Sequence, residues 1–428
     1  MPMLAKFPCL QSPDFRKLFY NYVLTSAAAW ASLLGRGWLI FELTGSSSAV
    51  GLVTFGGMAP MLFLGPVAGT FADRFDRRQM AMVAALFGAL VSFLLGFLTL
   101  TGSVVMWHVV VLAILQGTAM AAVTPASEAI IPSLVPPEHL LSAVSFRGIA
   151  RHGSKVLGPF IGGILMALLD DGTGWVFVLT TLFFLMATFQ LYRIQWRPSS
   201  TLLPSTESIF NVISPMAAAA RYAYVDKRLL MVLSLIGVHC GFTMAYDALL
   251  PGLSDEIGSG SSTFAAISVG VGFGALITTL AVSTISDESA RGRILIVSGL
   301  GSGISLLFIG FATNPLVAIF GGFLSGATEA PYMAVSATLI QQVVPDEYRG
   351  RMMAVYIMIA AGFMAFMNLG FGLVADFTGE RILFILPSVL WLVIFVLGGL
   401  FSPALRHLLR TGSFRIEPAT ELREPVSS

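Results

Sequence analysis

Six ionisable side chains sit where hydrocarbon is the expected solvent. Arg36, Glu128, Arg151, Lys155, Asp247 and Glu329 each fall inside a long apolar run. A charge in that setting costs roughly 2.5–3.5 kcal/mol on insertion scales, so it is retained where it pairs, binds a charged solute or exchanges a proton. Glu42 and Arg147 lie nearer the ends of their runs, where an ion pair or a side chain reaching to the interface accounts for them. For Lys155 and Glu329, deep in theirs, function is the better reading. Arg147, Arg151 and Lys155 recur every four residues and so form one basic stripe along a helix. Other chemistries lack their residues. His108, His152 and His239 are scattered without ligand spacing, so no metal site is expected. No Ser/His or His/Asp/Glu set stands at catalytic spacing, and no GxxxxGK[ST] loop occurs. An enzyme, a bound cofactor and direct drive by ATP are therefore not expected. Met352, Met353, Met358, Met364 and Met367 crowd one run and read as soft packing.

The elements that must hold these charges follow from composition. The 428 residues are 56% hydrophobic and 11% charged, with mean hydropathy +0.84, against about 25% charged in soluble domains. Lipid is the main solvent, and a net charge of +1 argues against a nucleic-acid partner. Spans of about 20 apolar residues are expected at 18–42, 47–70, 79–101, 105–131, 141–168, 175–193, 229–250, 262–283, 294–312, 316–343, 352–375 and 382–401. With both termini inside, 19 of the 24 Lys and Arg residues fall in cytoplasmic segments and only Arg381 falls outside, which fixes the orientation. No cleavable signal peptide is read in the first 20 residues, and Cys9 and Cys240 offer no disulfide framework. Residues 194–228, rich in Pro and Ser, separate a six-span half at 1–193 from a second at 229–401, with a short surface helix expected near Pro215–Tyr224 and a polar tail over 402–428. The halves echo each other: Val135-Pro136-Pro137-Glu138 follows the fourth span and Val344-Pro345-Asp346-Glu347 the tenth, 209 residues later.

One loop identifies a relationship. Between the second and third spans, Asp73, Arg74, Asp76, Arg77 and Arg78 crowd a tight turn, and Gly65 and Gly69 share the preceding helix face, which lets a neighbouring helix approach. Gly69-x-x-Ala72-Asp73-Arg74-x-x-Arg77-Arg78 resembles the loop 2–3 signature of the major facilitator superfamily of transporters, with Asp76 where the family usually has Gly. The resemblance implies an all-α membrane fold of twelve helices in two pseudo-symmetric halves, with a substrate site near the midplane between them. It also implies a conformational switch at this loop, whose charges contact a helix end across the interface when the outer side is open.

In the fifth span, Gly158-Pro159-x-x-Gly162-Gly163 resembles the motif of the exporting, antiport-type branches, and Pro159 makes a bendable helix. In the fourth span, Gln116-Gly117 is similar to the end of another family motif, but Ala113 stands where the family has an arginine that often serves proton coupling. Arg36 and Lys155 are candidates to replace it. The pieces Asp14-Phe15-Arg16-Lys17-Leu18, Glu42-Leu43-Thr44-Gly45, Ile131-Pro132-Ser133-Leu134-Val135-Pro136 and Leu250-Pro251-Gly252-Leu253 extend the resemblance to the enterobactin-exporter-like and macrolide-efflux-like branch. Export of a siderophore-like or drug-like solute is expected, by a monomer in the bacterial inner membrane, with protons as a candidate coupling ion. Two alternatives stay open: uptake or facilitated passage of an iron-related or lipid-like solute, and a transporter-fold scaffold without transport. Two charge pairs are expected: Arg36 with Asp247 at the outer mouth, and Lys155 with Glu329 in the central cavity.

Overall fold

Long apolar runs separated by polar breaks fold as helices because hydrocarbon offers no partner for a free backbone group. The computed structural model describes residues 8–74, 76–195, 213–258, 260–283, 285 and 287–412; at 65–74, 141, 213–215, 288–289 and 346–347 it describes the backbone only. The described residues form α1 (Pro13–Thr44), α2 (Ser47–Arg74), α3 (Arg77–Leu100), α4 (Met106–Glu128), α5 (Leu140–Leu168), α6 (Gly172–Tyr192), α7 (Ile213–Val225), α8 (Lys227–Thr243), α9 (Leu250–Glu256), α10 (Gly260–Ser283), α11 (Glu288–Gly310), α12 (Pro315–Val343), α13 (Asp346–Thr378), α14 (Glu380–Phe401) and α15 (Pro403–Thr411), with short 3-10 turns before α1 and α5. Among them, nine helices are long and apolar enough to cross a membrane. The other three that complete a set of twelve are α5, which holds the basic stripe, α12, which holds Glu329, and α8, which stops after 17 residues.

Two groups of helices pack internally. In the first, α1 lies against α5 and α6, α2 against α4, and α3 against both α4 and α6. In the second, α12 lies between α10 and α11, α11 also meets α14, and α8 meets α13. Two seams join the groups, α5 with α10 and α2 with α13. One end of the bundle carries α7, α15 and the end of α6, and is called the linker end here; the other carries the α1–α2 and α13–α14 turns, and is the turn end. At that end Gly45 takes φ 60°, closing α1 through a bond from its N–H to Phe41 O.

Within a group, helices approach to backbone contact. A Cβ on Gly326 of α12 would stand 1.8 Å from Val271 O of α10, and one on Gly274 2.0 Å from Phe323 O. Backbone on both sides leaves no flexible side chain to yield. Gly326→Ala is expected to destabilise the protein by at least about 1–3 kcal/mol, the usual cost of overpacking, read as a lowered apparent Tm in detergent. Gly148→Ala, whose Cβ would meet nothing within 4 Å, is the control and should leave Tm unchanged; equal behaviour of the two rejects the packing argument.

The seventh span departs from the sequence expectation of one helix over 229–250. The chain leaves helical geometry over residues 244–249 and resumes as α9. The physical reason is local. Pro251 has no N–H for the carbonyl four residues back, so it suits the first turn of a new helix, where it stands in α9, better than the interior of one running through. The released amide of Ala248 is taken by Asn368 Oδ1 of α13 at 3.0 Å. The fully buried Asn368 is itself anchored by its Nδ2, which donates to Met364 O at 3.1 Å. A short helix over 213–225 lies where the sequence places one.

Candidate functional site

The break in the seventh span opens onto the middle of the bundle. A cavity of ≈ 530 Å³, including its solvent-connected space, lies between the two groups. Trp30, Thr54 and Lys155 line it from the first group, and Tyr246, Asp247 and Phe264 from the second. Lys155 reaches it from α5, four residues before Pro159. Its Nζ lies 4.9 Å from the centroid of the Trp30 ring, a cation–π contact. Asp247 enters from the non-helical stretch, a place where backbone irregularity inside a membrane is tolerated because it lines a cavity. Among the described residues, Lys155 has no ion-pair partner and Asp247 no hydrogen-bond donor.

Glu329 stands behind this wall. It is 3% exposed and accepts a hydrogen bond from Ser325 Oγ, one turn earlier on α12. Ser325 Oγ in turn lies 3.0 Å from the Tyr246 hydroxyl. Tyr246 is therefore the only link of that chain that touches the cavity, next to Asp247. The charge of Lys155 acts on both Asp247 and Glu329. Lys155 and Glu329 form no ion pair in this arrangement: Ser325 holds the carboxylate, and the Tyr246 hydroxyl links that serine to the cavity.

Arg36 goes elsewhere than expected. It is 8% exposed, its Nε donates to Ser32 O at 3.2 Å, and its Nη1 has no partner among the described residues. A Cβ on Gly57 of α2 would lie 3.6 Å from Arg36 Nη2 and 3.9 Å from Ala113 O of α4. The guanidinium thus fills the α1–α2–α4 junction of its own group, beside Ala113, instead of pairing with Asp247. Glu128 pairs with Arg147 across α4 and α5. Arg151 is exposed toward the linker end, where Gly148 and Gly153 also face open space.

The Gly158–Gly163 motif sits where α5 is most closely approached. A Cβ on Gly158 would fall 2.5 Å from Ala27 O of α1, one on Gly162 3.2 Å from Leu34, and one on Gly163 2.5 Å from the Ala265 Cβ of α10. Pro159 removes the donor that Lys155 O would use in a regular helix. That carbonyl faces Gly272 of α10, whose Cβ would stand 2.6 Å away. One helix thus presents its glycines to both groups and its freed carbonyl to the seam.

Of the loop residues, Gly65, Gly69, Asp73 and Arg74 lie outside the residues whose side chains are described. Arg77 Nη1 donates to Ala129 O at 2.9 Å, and Arg78 donates to Leu191 O and Tyr192 O at 2.9 and 2.6 Å. Both grip the carbonyl ends of α4 and α6 in their own group, where cations complement the helix dipole.

A contact not anticipated from sequence closes the turn end. Asp376 of α13 caps the start of α2: its Oδ1 accepts from Ser47 N at 2.8 Å and Ser48 N at 3.3 Å, and its Oδ2 accepts from Ser46 Oγ at 2.6 Å. Glu380 accepts from Ser47 Oγ at 2.8 Å. Below them a Cβ on Gly372 would lie 2.5 Å from Ser47 O. Gly163 and Gly372, which close the two seams, are 209 residues apart, the same offset that relates the two halves. That offset, with Asp376 one turn beyond Gly372, was the available signal.

The family described as transmembrane secretion effector, one of the major facilitator groups, has a profile that matches residues 4–410. The chain is 24% identical over 365 residues to a staphyloferrin A transporter of Staphylococcus aureus, covering 84% of this chain and 89% of that one. It is 26% identical over 438 residues to the multidrug efflux pump Tap of Mycobacterium bovis, covering 98% of each. Among solved structures it resembles the nucleoside transporter NupG, with a TM-score of 0.70 at 12% identity over 91% of this chain and 100% of that one; at that identity the likeness is one of fold.

Proposed function

The chain belongs to the transmembrane secretion effector family of the major facilitator superfamily, and from that premise we propose that this multi-pass membrane transporter exports small amphipathic organic solutes by alternating access. The single observation that carries the reading is the cavity between the groups, with an aromatic wall and two unpaired charges of opposite sign. The cavity is flanked at the turn end by seams in which Gly372 meets the backbone of α2 and Gly163 the Ala265 Cβ of α10, and by open space beside Arg151 at the linker end. With the linker end in the cytoplasm, as the Lys and Arg distribution supports, this is an inward-facing arrangement ready to load a cytoplasmic solute. Residues 1–193 and 229–401 then rock as two halves about the cavity, linked by 194–228, with 402–428 a cytoplasmic tail. The protein works as a monomer in a bacterial inner membrane, and Glu329 exchanges the coupling proton. Siderophore-like and drug-like compounds lead, since relatives carry such names.

The test is counterflow in proteoliposomes with siderophore-like and macrolide-like solutes, with and without a pH gradient. Exchange of at least one solute above the protein-free rate is expected, accelerated by a gradient that is acid on the turn-end side. Rates equal to protein-free vesicles for every solute reject the transport reading. Net movement from the turn end to the linker end under that gradient rejects export.

A further inference from the structure

The charges of the cavity narrow the solute itself, on the reading that the cavity is the solute site. Lys155 approaches from α5 of the first group and Asp247 from the broken seventh span of the second. Both are half-buried, both face the same space, and among the described residues neither has an ion-pair partner. Other ionisable groups of the spans are engaged away from the cavity: Glu329 accepts from Ser325, Glu128 pairs with Arg147, and Arg36 donates to Ser32 O within its own group. An unpaired charge withdrawn from water is expensive, and a partner of opposite sign relieves it. A solute with one charge relieves one of the two and leaves the other stranded when the cavity closes. A neutral solute relieves neither. A solute with both charges relieves both and adds no net charge to the closed bundle. Trp30 and Phe264 on opposing walls, with Leu33 and Leu34 beside them, call for an apolar, ring-bearing body between the two ends.

We propose that the cavity is specific for amphipathic zwitterions, seating an anionic group at the Lys155 ammonium beside Trp30 and a protonated amine at the Asp247 carboxylate. Because these two side chains come from different groups of helices, such a solute draws the walls together from both sides. A solute holding only one of them leaves the groups unbridged. The zwitterion is thus both the best ligand and the best trigger of closure.

A matched set with one body and four charge patterns tests this: 2-naphthylalanine (zwitterion), its N-acetyl derivative (anion), its methyl ester (cation) and the N-acetyl methyl ester (neutral). Binding is read on the full-length protein in detergent as the concentration that gives half-maximal thermal stabilisation. The zwitterion is expected to bind at least about tenfold more tightly than each of the others, the loss of one charge-assisted contact. In Lys155→Gln the zwitterion's advantage over the cationic ester should disappear. In Asp247→Asn its advantage over the anionic N-acetyl acid should disappear. Any singly charged or neutral member binding as well as the zwitterion to the unaltered protein overturns the proposal. So does an unchanged order in both variants, or no stabilisation by any member. The wild-type comparison needs no variant to fold. Flux of siderophore-like or macrolide-like solutes without a zwitterion preference leaves the transport reading intact and rejects this one. The binding order in detergent, found without flux, does the reverse.

Discussion

Gly372→Ala is expected to arrest the transporter with its turn end open. The added methyl would stand 2.5 Å from Ser47 O and near Gly51 of α2, and both neighbours are backbone, so the α2–α13 seam cannot close around it. The same substitution costs nothing when the seam is apart, because the contact is then absent. A penalty confined to one of two states moves the equilibrium by its full size. The usual 1–3 kcal/mol of overpacking becomes roughly a 5- to 150-fold population shift. Cysteine substituted for Thr54 on the cavity wall reports it: a membrane-impermeant thiol reagent added on the turn-end side should label Gly372→Ala rapidly and the parent slowly, and flux should fall in parallel. Asp376→Asn acts in the same direction but more weakly, since an amide oxygen still accepts from Ser47 and Ser48 while the charge that favours the α2 N-terminus is gone. Unchanged labelling and unchanged flux in Gly372→Ala exclude this seam as the outer closure.

The second large effect concerns Glu329. Glu329→Gln replaces a carboxyl that can bind and release a proton by an amide of the same size that cannot. The amide still accepts from Ser325, so the α12 packing around it is retained. The groups facing the position are Ser325 on its own helix, Cys240 of α8, Tyr246 and Asp247 from the broken span and, through its charge, Lys155 from α5. The expected outcome is split. Exchange without a gradient continues, because the cavity-lining charges are untouched. Accumulation driven by a pH gradient falls to the gradient-free level, a loss of roughly tenfold or more for removal of a coupling of ordinary size. Tyr246→Phe breaks the relay between cavity and carboxyl and should uncouple partially. A Glu329→Gln variant that still accumulates solute with the parent's pH dependence removes Glu329 from the coupling step.

Much of the architecture was legible because lipid enforces a simple grammar. Runs of apolar residues had to become helices, and their number, order and approximate bounds follow from hydropathy alone. The repeat offset was legible from Val135 and Val344, and it proved to relate Gly163 to Gly372 as well. The inward-facing charges of α5 and α8–α9 were also legible, because a Lys or Asp inside an apolar run has few inexpensive positions. What those charges touch was not. Arg36 and Asp247 have similar depths by counting residues, yet depth does not give azimuth, and Arg36 points into the α2–α4 junction. Lys155 and Glu329 agree in depth too, but a serine one turn away claimed the carboxylate first. Such local competition is invisible to span counting. The turn-end cap by Asp376 was missed for another reason: Ser46, Ser47 and Ser48 read as an ordinary helix start, and nothing in a single chain says that their acceptor lies some 330 residues away.

The interruption of the seventh span also bears on how the chain is made. A segment of 17 helical residues is short of the length that leaves an insertion channel on its own merits. Its continuation keeps an amide, that of Ala248, whose acceptor is Asn368. Asn368 is synthesised 120 residues later, after three further spans, α10, α11 and α12, have been made. For that interval the nascent chain must shelter Ala248 elsewhere: in water at the membrane surface, in a temporarily regular helix, or against an insertion factor. The second group is therefore completed in reverse, its earliest span being set only when its penultimate one arrives. Ribosome-bound chains truncated before and after Asn368 should differ in the protection of residues 244–249, and synthesis of α13 marks the moment at which the Ala248 amide first meets its acceptor.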